Sequence, residues 1–180
     1  MSQMNAAQPI DINALKSQVD AEIAARLRVE AEQALHIHRR GFLVGDLRLL
    51  VQMEAASEVL EMPALFRLPG APQGVKGLVN RHGRVVPVID VGSLFDVRND
   101  GVEYPWLLVC GREDDAVGII ISSLPERKKF LGEDLVSLAE VAHPIAAHAK
   151  AAYREGWDIW MDLDTESLFE FVFHVDPESV

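Results

Sequence analysis

Six histidines, one cysteine and several adjacent acids are the residues of this 180-residue chain that could do chemistry. Their spacing argues against most of it. His36 and His38 lie two apart at the end of a helical pattern, so they would face different directions and could not readily share a metal. His143 and His148 are five apart without a carboxylate or cysteine companion, and His174 lies near the C-terminus. Each reads as a structural or solvated side chain. Cys110 sits within Trp106-Leu107-Leu108-Val109-Cys110, where a small buried hydrophobe is expected rather than a nucleophile. Asp114-Asp115 and Glu133-Asp134 are acids of the kind that solvate loops. The chain has no Gly-x-Ser-x-Gly, no glycine-rich phosphate loop with a lysine and no Cys-x-x-Cys, and Ser122-Ser123 lacks a neighbouring base in sequence. No catalytic residue, metal ligand or cofactor is expected. A binding module fits better than an enzyme.

His82 differs from the other histidines, because it sits at the tip of a turn between two clear strand patterns, where a side chain can be presented to a partner. Residues 77–95 read as a short apolar strand, a polar turn, a β-branched strand and one or two turns of helix. Asn80 and Gly83 suit positions i and i+3 of a type I turn. Val85, Val86, Val88 and Ile89 suit a strand buried on both faces. Pro87 cannot donate to a ladder and is expected at an edge or a bulge. Asp90 stands where a helix N-cap belongs, with Val91, Leu94 and Phe95 on one face.

The remaining pattern supplies the elements that must hold this hairpin. Residues 1–10 read as a disordered tail. From Asp11, Ile12, Leu15, Val19, Ile23, Leu27, Ala31 and Leu35 recur at helical spacing, and this stripe is expected to pack on the chain's own β domain before any partner. Beyond Gly41 the rhythm shortens to strand, Gly45-Asp46 turn and strand over 42–51, with further strands over 57–61, 106–110, 116–121 and 157–163. Residues 68–74 form a loop, Asn99-Asp100-Gly101 breaks the chain, and Pro144 belongs to a first helical turn or a loop. Asp164 to Ser167 cap a closing helix through Leu168, Phe169 and Val172. Many short strands with turns between them argue for barrels or a sandwich. There is also an internal echo, since residues 85–90 then 92–95 resemble 159–162 then 165–169.

Seventeen bases against twenty-eight acids give a net charge of −11, which disfavours nucleic acid and anionic membrane surfaces as partners. A single cysteine allows no internal disulfide. Met1 to Gln8 lack the basic start and apolar core of a signal peptide, and no eighteen-residue apolar run occurs, so a cytoplasmic address without membrane insertion is expected.

Five ordered blocks of the chain resemble the CheW-like adaptor domain of bacterial chemotaxis, including the PilI-type adaptors of twitching motility. Residues 42–50 look like its first hairpin, and Ser57-Glu58-Val59-Leu60 like its Val-x-Glu-Val strand. Arg67-Leu68-Pro69-Gly70-Ala71-Pro72 is similar to its Arg-x-Pro-x-x-Pro loop, residues 77–95 to its Asn-Leu-Arg-Gly signature, and 157–164 to its last strand. The resemblance covers about residues 39–175. It implies a mainly β fold of two SH3-like five-stranded barrel subdomains, with an N-terminal helix and short helices added, divided as 1–38 and 39–180. It implies a non-catalytic scaffold coupling the cytoplasmic tip of a methyl-accepting chemoreceptor to the regulatory domain of a CheA-type histidine kinase, within a membrane-associated receptor array. An adaptor of the same fold docking a different scaffold or polar-localisation protein is the alternative, and a small-molecule sensor or enzyme using the groove between the barrels is a further one. The partner-binding residues it implies are Glu58, Val59, Leu78, Asn80, Arg81, His82 and Arg84. His82 falls on the family's arginine and Arg81 on its leucine, so Arg81 or Arg84 is expected to supply the charge that histidine lacks at neutral pH.

Overall fold

The unbroken apolar runs Leu107 to Cys110 and Val117 to Ile121 need a fold that covers both faces of a strand, and the computed structural model provides one. It describes residues 12–97, 104–112 and 115–173. The tail over 1–10, the Asn99-Asp100-Gly101 break, Asp114 and His174 lie outside these residues. The chain divides into two units, residues 1–36 and 37–180. The first carries helix α1 (Ile12–Ala34), with an exposed Glu22–Arg26 pair 3.6 Å apart at i, i+4.

The second unit, whose first strand begins one residue before it, runs β1 (His36–Val44), β2 (Leu47–Gln52), β3 (Ala56–Glu61), β4 (Val75–Arg81), β5 (Arg84–Ile89), α2 (Val91–Leu94), β6 (Trp106–Cys110), β7 (Val117–Ile121), β8 (Glu126–Leu131), β9 (Leu135–Val136), β10 (Ala149–Glu155), β11 (Asp158–Leu163) and α3 (Thr165–Phe173). One sheet is ordered β3-β6-β7-β5-β4 and the other β8-β1-β2-β11-β10-β9. The two SH3-like barrels are thus present, the second sheet carrying the two-residue β9 as a sixth strand. The β1–β2 hairpin belongs to the barrel completed by the C-terminal strands.

Three apolar clusters follow from the two-sided strands. Leu108, Cys110, Ile119 and Ile121 face a core shared between the sheets, where they meet Phe42, Leu49, Val51, Met161 and Leu168. Leu107, Val109 and Ile120 point the other way, into the first barrel, with Val79, Val86 and Val88. Leu50, Phe130, Tyr153 and Trp160 fill the second. Each fully buried Leu, Ile or Phe contributes about 1.5–3 kcal/mol, so the shared core is the main bond between the halves.

The halves repeat one topology. In each, an antiparallel hairpin (β6–β7, β1–β2) is extended by a strand parallel to its second member (β5 on β7, β11 on β2), and that strand pairs with its own hairpin partner (β4, β10). Both parallel strands hand over to a helix through an aspartate. Asp90 Oδ1 accepts the Ser93 N–H at 2.9 Å, and Asp164 Oδ1 accepts the Ser167 N–H at 3.2 Å. The echo therefore aligns Asp90 with Asp164 rather than with Asp162, which is a buried strand residue.

Several sequence expectations need correction. His36 and His38 belong to strand β1, where i and i+2 share a face, and not to a helix; Ile37 and Leu43, packing into the second barrel, draw this segment into the sheet. Val85 is exposed, so β5 is buried on both faces only from Val86 onward. Pro87 lies on an interior strand, but the ladder to β7 begins at Val88, so the missing donor falls where β5 is still an edge.

Candidate functional site

The β4–β5 turn is tighter than its sequence suggests. Arg81 pairs directly with Arg84, leaving His82 and Gly83 as a two-residue loop rather than a type I turn over 80–83. Both loop residues have positive φ, +50° and +81°, as the hairpin turn of type I′ requires. Histidine is among the few residues besides glycine that enter this region, though the tip still holds His82 in a backbone setting that glycine would occupy more cheaply. Asn80 Oδ1 accepts the Gly83 N–H at 3.0 Å and fastens the loop from one side.

Arg81 fastens it from the other. Its Nε donates to Glu58 Oε2 at 2.7 Å, and a second guanidinium nitrogen meets the other carboxylate oxygen, giving a two-pronged pair. Glu58 is on β3 and Arg81 on β4, the two end strands of the five-stranded sheet. The pair therefore joins the edges of the first barrel, assisted by Phe66 and Leu78, which exchange both backbone bonds at 2.8 Å. That approach needs Gly77, because a Cβ there would lie 2.5 Å from the Phe66 carbonyl oxygen.

Of the seven residues named from the sequence, Glu58, Arg81, His82 and Arg84 line one groove of about 450 Å³. Val59 packs against the shared core, Leu78 is occupied by its bridge to Phe66, and Asn80 is spent on the turn. His82 and Arg84 are exposed, so the groove presents an imidazole and a guanidinium to solvent. Arg112 completes its basic rim, over a floor of Val86, Val109 and Ala116. Sequence reasoning missed Arg112; the only signal was its place after Gly111 at a hairpin end, and nothing local says that the β6–β7 turn adjoins the β4–β5 turn.

The other candidate chemistry is accounted for by packing. Cys110 is buried, which pushes its thiol up to about 12. His143 Nδ1 accepts the Ile145 N–H at 3.2 Å and starts the 3-10 turn Pro144–His148, while burial pushes the ring below the usual histidine range. His148 Nδ1 lies 3.0 Å from Ser167 Oγ, and its ring packs on Phe95 and Phe171. A larger cavity of about 640 Å³ contains Lys76 and Asp90, but they pair at 3.1 Å and Asp90 is already the α2 cap. Among the described residues no cluster of three or more His, Cys, Asp or Glu could hold a metal, and no helix is long and apolar enough to cross a membrane.

The second half repeats the clamp with its charges reversed. Lys128, third residue of β8 as Glu58 is of β3, lies 2.8 Å from Glu155, the last residue of β10 as Arg81 is of β4. The β10–β11 loop is likewise two residues, Gly156 and Trp157, since Glu155 pairs with Asp158.

Comparison with known proteins agrees with this architecture. The model of the CheW-like domain family matches residues 41–172. A chemotaxis protein CheW from Treponema pallidum is 25% identical over 134 residues, 71% of this chain and 79% of that protein. The protein FrzA of Myxococcus xanthus is 39% identical over a shorter stretch, 40% of this chain and 41% of FrzA. The crystal structure of the scaffolding protein TtCheW from Thermoanaerobacter tengcongensis superimposes with a TM-score of 0.66 at 16% identity, covering 74% of this chain and 87% of that one. With its family model spanning both barrels, the chain belongs to the CheW-like domain family.

Proposed function

We propose that this protein is a non-catalytic adaptor that couples the cytoplasmic tip of a chemoreceptor to the regulatory domain of a CheA-type histidine kinase, in chemotaxis or in pilus-driven motility, at a membrane-associated array. The observation that carries the reading is the family match over residues 41–172, which includes the signature hairpin and its basic-rimmed groove. His82 and Arg84 contact the partner directly, Arg81 and Glu58 hold the tip in shape, and Asn80, Leu78 and Val59 support them from beneath. The groove suits a partner that offers a carboxylate beside an apolar side chain, because its rim is basic and its floor aliphatic.

Co-purification with the kinase regulatory domain tests the role, and no binding at about 50 µM or above would refute it. His82→Arg restores a permanent fork of donors at the tip and is expected to change receptor binding more than kinase binding. Equal effects on both would move the receptor site elsewhere. A second reading rests on α1, whose Ile12, Leu15, Val19, Ile23 and Leu27 are exposed. In it the same fold docks a different scaffold protein, with α1 as the arm, and a chain starting at residue 37 loses that partner while keeping the kinase.

A further inference from the structure

The cavity of about 640 Å³ lies between the β3–β4 loop, the start of β4 and α2. Its volume is in the range that small-molecule sites occupy, roughly 300–1,000 Å³. Met62, Leu65, Val97 and Ile120 form an apolar wall, of which Ile120 is buried. The polar groups around that wall are only partly used by the fold. Lys76 and Asp90 hold each other at 3.1 Å, and Asp90 Oδ1 caps α2. Among the described residues, however, the Arg67 guanidinium meets no acid, and the hydroxyls of Ser93 and Tyr104 and the carboxylate of Asp96 have no hydrogen-bond partner. Burial, and then the neighbouring acids Asp90 and Asp46, push the Tyr104 phenol above its usual range, so its hydroxyl is a donor at neutral pH.

An apolar wall, an unpaired guanidinium and two spare hydroxyls around one opening define a ligand's chemistry. We infer that this cavity binds a small amphipathic carboxylate, an apolar ring or chain that bears one carboxyl group. The body lies against Met62, Leu65 and Ile120. The carboxylate meets the Arg67 fork with Lys76 beside it, because a planar pair of oxygens suits a guanidinium. Ser93 and Tyr104 donate to any further oxygen on the ligand. Asp90 and Asp96 hold the ligand to a single negative charge, since a dianion such as a phosphate monoester would be repelled by both. The cavity is at the far end of the β4–β5 hairpin from His82, as Val75 pairs with Ile89 and Arg81 with Arg84. The inference stands apart from the kinase-coupling role, since it needs neither partner.

Amide NMR of the isotope-labelled full chain, titrated with naphthylacetate, tests it. For a probe of this size a Kd of about 0.1–1 mM is expected, with the shifts centred on Lys76, Gly92 and Ser93. The neutral amide of the same probe binds at least about fivefold more weakly, because it offers Arg67 a single oxygen and no charge. Arg67→Ala, at an exposed side chain, causes a similar loss. Tyr104→Phe keeps the ring and weakens binding about threefold. Ser93→Trp, also at an exposed position, fills the opening and abolishes the shifts while the rest of the spectrum stays that of the folded chain. No saturable shift by about 5 mM would overturn the inference. So would shifts centred elsewhere, an amide that binds as tightly as the acid, or full binding to both Arg67→Ala and Ser93→Trp.

Discussion

Removing the Glu58–Arg81 clamp separates two roles that the first barrel tip could have, holding a shape and supplying a charge. Both side chains are about one-third exposed, 34% and 31%, so the pair lies between a surface ion pair and a buried one. Exposed pairs contribute about 0.2–1 kcal/mol, and hydrogen bonds to charged groups about 1.5–3 kcal/mol when shielded. Two bonds discounted for this exposure suggest a coupling of about 1 kcal/mol. Arg81→Ala should cost roughly 1–2 kcal/mol, because it also frees the edge strands. Glu58→Ala should cost about the same, because it leaves Arg81 beside His82, Arg84 and Arg112 without its acid. In a chain of this size each kcal/mol lowers Tm by about 2–4 °C. Urea melts of the singles and the double give the coupling directly, and strictly additive losses would refute the clamp. The exchange Glu58→Arg with Arg81→Glu goes further. The chain already uses the reversed polarity at Lys128 and Glu155, so the exchanged pair should recover most of the stability of the better single variant or exceed it. Kinase or receptor binding that recovers with it means the partner reads the tip's shape. Binding that stays lost means Arg81 is read as a charge.

Other perturbations probe the frame around the tip. Gly77→Ala places a methyl 2.5 Å from the Phe66 carbonyl at a φ of +152°, so it should break the Phe66–Leu78 bridge and cost about 2–4 kcal/mol, read as a Tm loss near 10 °C; a loss under about 2 °C would mean the barrel closes without that bridge. His143→Ala removes the acceptor for Ile145 N–H and should cost about 1 kcal/mol at pH 8. Because burial lowers the histidine's folded pKa below 6.5, its contribution is present above pH 6.5 and is lost as pH falls through the folded value. The stability gap between wild type and His143→Ala should therefore shrink on acidification, and a gap that grows would contradict the assignment. Cys110, buried and with its thiol near 12, should resist a disulfide reagent at pH 8 until denaturant opens the shared core, whereas rapid native labelling would show that the core breathes.

Much of this architecture is legible locally. Runs such as Val117 to Ile121 announce two-sided burial, Asp90 and Asp164 announce helix starts, and Gly45-Asp46 announces a hairpin, because each depends on a few neighbouring residues. What escapes is whatever depends on pairing at a distance. Nothing near β1 and β2 indicates that they join strands over a hundred residues later, since β2 meets β11 through a parallel ladder of three pairs. The Glu58–Arg81 pair spans 23 residues, and Arg112 reaches the groove only because two turns converge. The type of the 80–84 turn was hidden for another reason. Asn80 and Gly83 suit either register, and the β4 ladder, running on to Arg81, selects the tighter loop.

The repeated topology gives these details a common logic. Each half ends its hairpin in a two-residue tip that stands on an ion pair, Glu58–Arg81 tying the two edge strands β3 and β4, and Lys128–Glu155 tying the edge strand β8 to β10, next to the short edge strand β9. Such a pair is a modest source of stability and a good source of geometry, because it fixes the last residue before the loop. Once both tips are fixed in this way, the residues upon them can change without disturbing the barrels. One tip carries His82 and Arg84 over a basic groove, and the other carries a bare Trp157 among bases. Two surfaces of different chemistry on equivalent scaffolds are what a protein needs if it is to hold two neighbours at once. A chain with the tip side chains exchanged, His82→Trp and Trp157→His, puts that logic at risk. It should fold with an unchanged m-value, because Gly83 and Gly156 keep their places and their positive φ, and position 82 already holds a residue other than glycine at φ +50°. Its neighbours should exchange ends. Loss of folding would show that the tips are not independent of the barrels beneath them.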